Sequence, residues 1–197
     1  MIIVGLTGGM GMGKSTAAAV FQRTGIPVFD ADAAVHRLQA RGGRAVRRIG
    51  AVFPDCVREG VVDRACLRRA VLDRPDNLRM LERILHPMVR QEEAAFLARA
   101  RRAGHHIAVL DIPLLLETGG DRRVDRIVVV SAPPAVQRHR VALRRRMTVA
   151  EADALIRQQM PDAEKRRRAD ILVRTGLSRH HALHVLSRFI QELRDAP

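Results

Sequence analysis

The sequence contains no tryptophan and no tyrosine, and aromatic residues make up only 3% of it. Proteins that hold single-stranded nucleic acid usually stack bases on aromatic rings, so this scarcity weighs against such a role. Lysine is nearly missing as well. Of 35 cationic Lys and Arg side chains only Lys14 and Lys165 are lysines, and the rest are arginine. Cysteine is reduced to Cys56 and Cys66. Two cysteines ten apart are too few for a secreted disulfide scaffold and match no zinc-ligand spacing. They read as reduced, buried apolar residues of a cytoplasmic protein. No apolar run approaches the roughly 18 residues of a membrane span. The opening MIIVGLTGG lacks the basic segment of a signal peptide. The expectation is therefore no membrane association.

What is present is a chain of 197 residues, 47% hydrophobic, with a formal net charge of +14. That is enough apolar material for one domain with a real core. The charge favours anionic partners: nucleic acid, acidic surfaces or phosphorylated small molecules. Because the arginines are scattered and no nucleic-acid recognition motif accompanies them, most read as solvated surface, and no nucleic-acid partner is expected.

Short β-branched runs mark five strands, near residues 2–6, 27–30, 106–111, 126–130 and 170–173. Between them the pattern is helical. Asp63 reads as an N-cap, and Asp76 as the start of a helix that Pro87 ends before a further helix to about Arg102. Thr148 and Glu151 fit a capping box, and the last helix carries an apolar stripe from Ala182 to Leu193. Strands alternating with helices predict an α/β fold built on a parallel sheet.

The residues Gly8-Gly9-Met10-Gly11-Met12-Gly13-Lys14-Ser15 match G-x-x-x-x-G-K-[ST] at each fixed position, with a strand before and a helix after. Glycines let the backbone wrap a phosphate and aim successive N–H groups at it. The following helix adds the positive end of its dipole. In this motif Lys14 reaches the β- and γ-phosphates and the Ser15 hydroxyl ligates Mg²⁺. The loop thus predicts an ATP site with Mg²⁺, lined by Gly11, Met12, Gly13, Lys14, Ser15 and Thr16, with the Met12 thioether close to the nucleotide.

Asp30 and Asp32 follow the second strand, at the carboxyl edge where parallel sheets place ligands. A carboxylate there can orient an acceptor hydroxyl toward the γ-phosphate. Asp32 is the candidate general base, and Asp30 the candidate helix cap or hydroxyl-orienting partner.

From this point the chain resembles the dephospho-CoA kinases nearly end to end. LTGGMGMGKST at 6–16 parallels that family's loop. Phe21, Gly25, Val28, Asp30, Ala31, Asp32 and His36 fall on its F-x-x-x-G and V-x-D-A-D-x-x-x-H elements. Leu85-His86-Pro87 matches L-H-P, and residues 111–117 match D-I-P-L-L-F-E with Leu116 in place of Phe. Arg140 and Arg144 match R-x-x-x-R, and residues 156–170 match I-x-x-Q-x-P-x-x-E-K-x-x-x-A-D, which contains Lys165. Arg145-Arg146 stands where the family often has Asp-Gly.

The resemblance implies a P-loop kinase with sheet order 2-3-1-4-5. It implies a core at about 1–30, 105–135 and 169–197, a helical substrate-binding insertion at about 31–104 and a mobile lid at about 138–168. It implies ATP-dependent phosphorylation of the ribose 3′-hydroxyl of dephospho-CoA, the last step of coenzyme A synthesis, with no obligatory protein partner. Asp32 would be the base, Asp111 would join Ser15 at the metal, and Arg140 and Arg144 would close over the phosphates. His86 would contact substrate or cap a helix. The competing readings are another small P-loop kinase and a nucleic-acid-binding NTPase.

Overall fold

The computed structural model describes residues 1–72, 74–176 and 178–195, the Arg179 side chain aside. The elements run β1 (Ile2–Thr7), α1 (Lys14–Arg23), β2 (Val28–Asp30), α2 (Ala31–Gln39) and α3 (Val46–Val52). A 3₁₀ turn (Pro54–Cys56) leads to β3 (Val57–Arg58), β4 (Val61–Val62), α4 (Arg64–Val71) and α5 (Pro75–Arg102). Then come β5 (Ile107–Asp111), a 3₁₀ turn (Gly120–Arg123), β6 (Arg126–Ser131), α6 (Pro134–Arg145), α7 (Val149–Arg157), α8 (Asp162–Arg167), β7 (Ile171–Arg174) and α9 (Arg179–Asp195).

Five strands form one sheet in the order β2-β5-β1-β6-β7, and β3-β4 form a separate two-stranded ribbon. β1 pairs in parallel with β5 and β6, and β6 with β7. Numbered along the chain, the sheet order is the expected 2-3-1-4-5. A sheet covered on both faces needs continuous apolar strands. Val4, Leu6, Val109, Leu110 and Val128 to Val130 are accordingly shut from solvent. Helices α1 and α9 pack together, and Phe21, Leu186, Phe189 and Ile190 join Val4, Val109 and Val130 in one core. That is the stripe expected of the last helix.

The chain divides into two compact units, Met1–Phe29 with Arg99–Pro197, and Asp30–Ala98. The second has its own core of Leu38, Ile49, Phe53, Cys56, Val62, Leu67, Leu81, Leu85 and Met88. Two expectations fail here. Pro87 does not end a helix: α5 runs unbroken through it for 28 residues. Proline removes the donor to the carbonyl four residues back, and its ring crowds that carbonyl. Leu81, Leu85 and Met88, buried on one stripe to either side of it, anchor the helix across that gap. The cysteines are not separate thiols either: Cys56 and Cys66 form a disulfide, with their Cα atoms 5.3 Å apart. The hairpin β3–β4 brings them together. Its turn, Glu59-Gly60, has positive φ at both residues (49° and 75°), a conformation for which Glu gives no warning in sequence.

Candidate active site

The phosphate-binding loop spans the end of β1 and the start of α1. Gly11 and Gly13 have φ of 76° and 91°, the left-handed region that L side chains resist. Space for a side chain is tight there too. A Cβ on Gly11 would come within 2.8 Å of Val141 Cγ2, and one on Gly13 within 3.2 Å of Thr175. Gly13 is the N-cap of α1 and offers no capping side chain. The Thr16 and Ala17 N–H groups turn back to Gly13 O, which leaves the N–H groups of Lys14 and Ser15 for a ligand, where the helix dipole favours an anion.

Lys14 Nζ donates to Asp111 Oδ1. Asp111 closes β5, the strand beside β1, and is 5% exposed. Ser15 and Thr16 are exposed on the first turn of α1. The Ser15 hydroxyl and the Asp111 carboxylate offer oxygen ligands only. That suits a hard divalent cation that keeps waters and takes phosphate oxygens. The Met12 thioether does not face a nucleotide. Met12 is 1% exposed, and its Sδ accepts the Ala132 N–H at 3.0 Å. It therefore anchors the loop to the chain after β6, and its contribution to a ligand is its backbone.

Arg140 stands on α6. Its Nη1 donates to Gly11 O (3.4 Å) and Thr175 Oγ1 (3.1 Å), and its Nη2 to Thr175 O (3.1 Å). Arg144, one turn on, is exposed. Motif reading did not single out Gln137, Gln159 or Thr175. Gln137 Nε2 donates to Met10 O, and Gln159 Oε1 accepts the Met10 N–H, both at 2.9 Å. Thr175 Oγ1 donates to Met12 O at 2.6 Å. Gln159 is the Q of the I-x-x-Q-x-P element, the one signal that could have found it. The second lysine is wholly buried: Lys165 Nζ lies 2.6 Å from Glu117 Oε1 and donates to Pro113 O at 3.3 Å. The Thr148–Glu151 capping box opens α7, and the Thr148 N–H and hydroxyl hold the Glu151 carboxyl below its ordinary pKa.

In the second unit Asp30 caps α2 by accepting the Ala33 N–H at 2.9 Å, and Asp32 is exposed in the first turn of that helix. Asp63 caps α4, and the N–H groups of Cys66 and Ala65 lower its pKa. His86 does not cap a helix end. It lies inside α5 and is exposed, on an open surface depression lined by Arg79, Glu82, Arg83, His86, Pro87 and Arg90.

A parallel sheet of order 2-3-1-4-5, with a glycine loop leading from its central strand into a helix that opens on lysine, defines a P-loop kinase. Comparison with known proteins narrows this. The dephospho-CoA kinase family model matches residues 2–179. A dephospho-CoA kinase of Gluconobacter oxydans is 49% identical, with all of both chains covered. One of Mesorhizobium japonicum is 52% identical over 98% of each. A crystal structure from Thermus thermophilus superposes with a TM-score of 0.86 at 33% identity, covering 100% of this chain and 98% of that one. The chain belongs to the dephospho-CoA kinase family.

Proposed function

We propose that the protein transfers the γ-phosphoryl group of ATP to the ribose 3′-hydroxyl of dephospho-CoA, giving coenzyme A and ADP, in the cytoplasm. What carries the reading is an intact phosphate loop on a chain that matches dephospho-CoA kinases along its whole length. The N–H groups of Gly11, Gly13, Lys14 and Ser15 take the β- and γ-phosphates, and Lys14 turns from Asp111 to them. Ser15 and Asp111 would hold Mg²⁺, which would supply neutralising charge to the phosphates. Asp32 accepts the proton of the acceptor hydroxyl. Its exposure on the first turn of α2 suits a reaction that asks for orientation more than for a strong base. Arg144 belongs to a lid, residues 138–168, that closes over the phosphates, and Arg140 is the fixed root of that lid, bonded to Gly11 O and Thr175. The cationic stretch of α5 around His86 takes the acceptor, whose diphosphate suits Arg79, Arg83 and Arg90.

The test is a substrate panel read by ADP release. Rapid turnover is expected with dephospho-CoA and only background with nucleosides, shikimate or gluconate, and added RNA should not change the rate. Turnover with one of the others and none with dephospho-CoA would sink the assignment.

A further inference from the structure

For a loop to aim its N–H groups at a phosphate, its carbonyls must point away, and each carbonyl taken from water needs a donor. Here three successive carbonyls find donors outside the loop. Gln137 serves Met10 O (2.9 Å), Arg140 serves Gly11 O (3.4 Å) and Thr175 serves Met12 O (2.6 Å). The donors come from α6 and from the residue after β7, far apart in sequence. Thr175 joins them. Its hydroxyl gives its single proton to Met12 O and accepts from Arg140, while its main-chain N–H donates to Ser131 O at 2.8 Å. Its Oγ1 and Cγ2 also lie 3.2 Å from where a Cβ on Gly13 would stand.

We propose that Thr175 is a positioning residue for phosphoryl transfer. With Gln137 and Arg140 it holds the outward carbonyls of residues 10–12, while the Met10 and Met12 N–H groups are tied to Gln159 and Gly9 O, so that the N–H groups of Gly11, Gly13, Lys14 and Ser15 are set before nucleotide arrives. The gain is preorganisation: dipoles fixed in advance need no rearrangement as charge moves onto the transferring group. The inference rests on reading the loop as the ATP site.

The test compares Thr175→Val, which keeps the shape and removes the hydroxyl, with Thr175→Ser, which keeps the hydroxyl. Each is examined by calorimetric ATP titration, by kcat and KM for both substrates, and by thermal unfolding. Thr175→Val should bind ATP on the order of tenfold more weakly and lose kcat, because Met12 O is left without its donor. The KM for dephospho-CoA should not move, and Thr175→Ser should recover ATP affinity to within about threefold. Should Thr175→Val not fold, Gln137→Met carries the same comparison at Met10 O. Normal ATP affinity in a folded Thr175→Val, with only a lower melting temperature, overturns the proposal, as does a Ser variant as impaired as Val. If the parent protein itself binds no nucleotide, the reading of the loop falls. If parent and variant bind alike, only this inference does.

Discussion

Lys165 Nζ sits 2.6 Å from Glu117 Oε1, with the lysine side chain wholly hidden and the carboxylate side chain 20% exposed. Glu117 Oε1 also accepts the Met160 N–H at 3.3 Å, so one carboxylate joins the segment after β5 to the chain between α7 and α8. Removing one partner of such a pair leaves an uncompensated charge in a poor solvent for it. Lys165→Met should therefore cost about 3–5 kcal/mol of stability. Glu117→Gln combined with Lys165→Met should cost less than Lys165→Met alone. Urea denaturation of the two variants checks the order, and a larger loss in the double variant would contradict it.

Lys14→Ala and Asp32→Asn should separate binding from chemistry. Lys14 meets the nucleotide in both ground and transition states, so its loss weakens ATP binding and turnover together. Asparagine at 32 retains size and an acceptor oxygen but takes no proton. Near-normal ATP affinity is expected, with kcat down by roughly 10²–10⁴-fold, the range for a removed general base. Asp30→Asn should retain most turnover, since that carboxylate already caps α2. Steady-state kinetics beside nucleotide titration reads all three. Full turnover in Asp32→Asn with a loss in Asp30→Asn would reverse the roles.

The disulfide closes a loop ten residues long around the β3–β4 hairpin. Chain entropy puts its stabilisation of the folded state at about 2–3 kcal/mol for a loop of that size. Cys66→Ser should lower the unfolding midpoint by the same amount as reductant lowers that of the parent. Adding reductant to Cys66→Ser should then change nothing. A residual effect of reductant on that variant would contradict the assignment.

Acid should act first on two helix starts. The folded-state pKa values of Asp63 and Glu151 are depressed, chiefly by the N–H groups of Cys66 and Thr148. A depressed carboxyl contributes stability that is complete above its unfolded pKa, about 4 for these groups, and lost as pH falls through the lower folded value. Amide exchange at the starts of α4 and α7 should thus accelerate below about pH 4 relative to the centre of α5, after correction for intrinsic rates. Glu151→Gln should remove most of the pH dependence at α7, and Thr148→Ala, which keeps the N–H and loses only the hydroxyl, a smaller share.

Much of this architecture is legible from local chemistry. The β-branched runs mark the sheet, the glycines and Lys14 mark the phosphate loop, and Asp63 and the Thr148–Glu151 pair mark helix starts, because each signal lies within a few residues of what it controls. The ribbon β3–β4 escapes notice because Glu59 takes a backbone conformation normally left to Gly or Asn. The continuity of α5 across Pro87 escapes because packing outweighs one lost hydrogen bond. Gln137 and Thr175 escape for another reason: each serves a loop carbonyl more than 120 residues away, and ordinary polar residues carry no mark of such distant work.

The near-absence of lysine has a practical corollary. To an amine-directed reagent the molecule is almost blank apart from the chain's own amino terminus. Lys165 is sealed at 0% side-chain exposure, which leaves Lys14, at 16%, as the one ε-amine open to modification. Acylation read by mass spectrometry would then report directly on the phosphate loop, and protection of that single peptide would count occupied molecules without any engineered label.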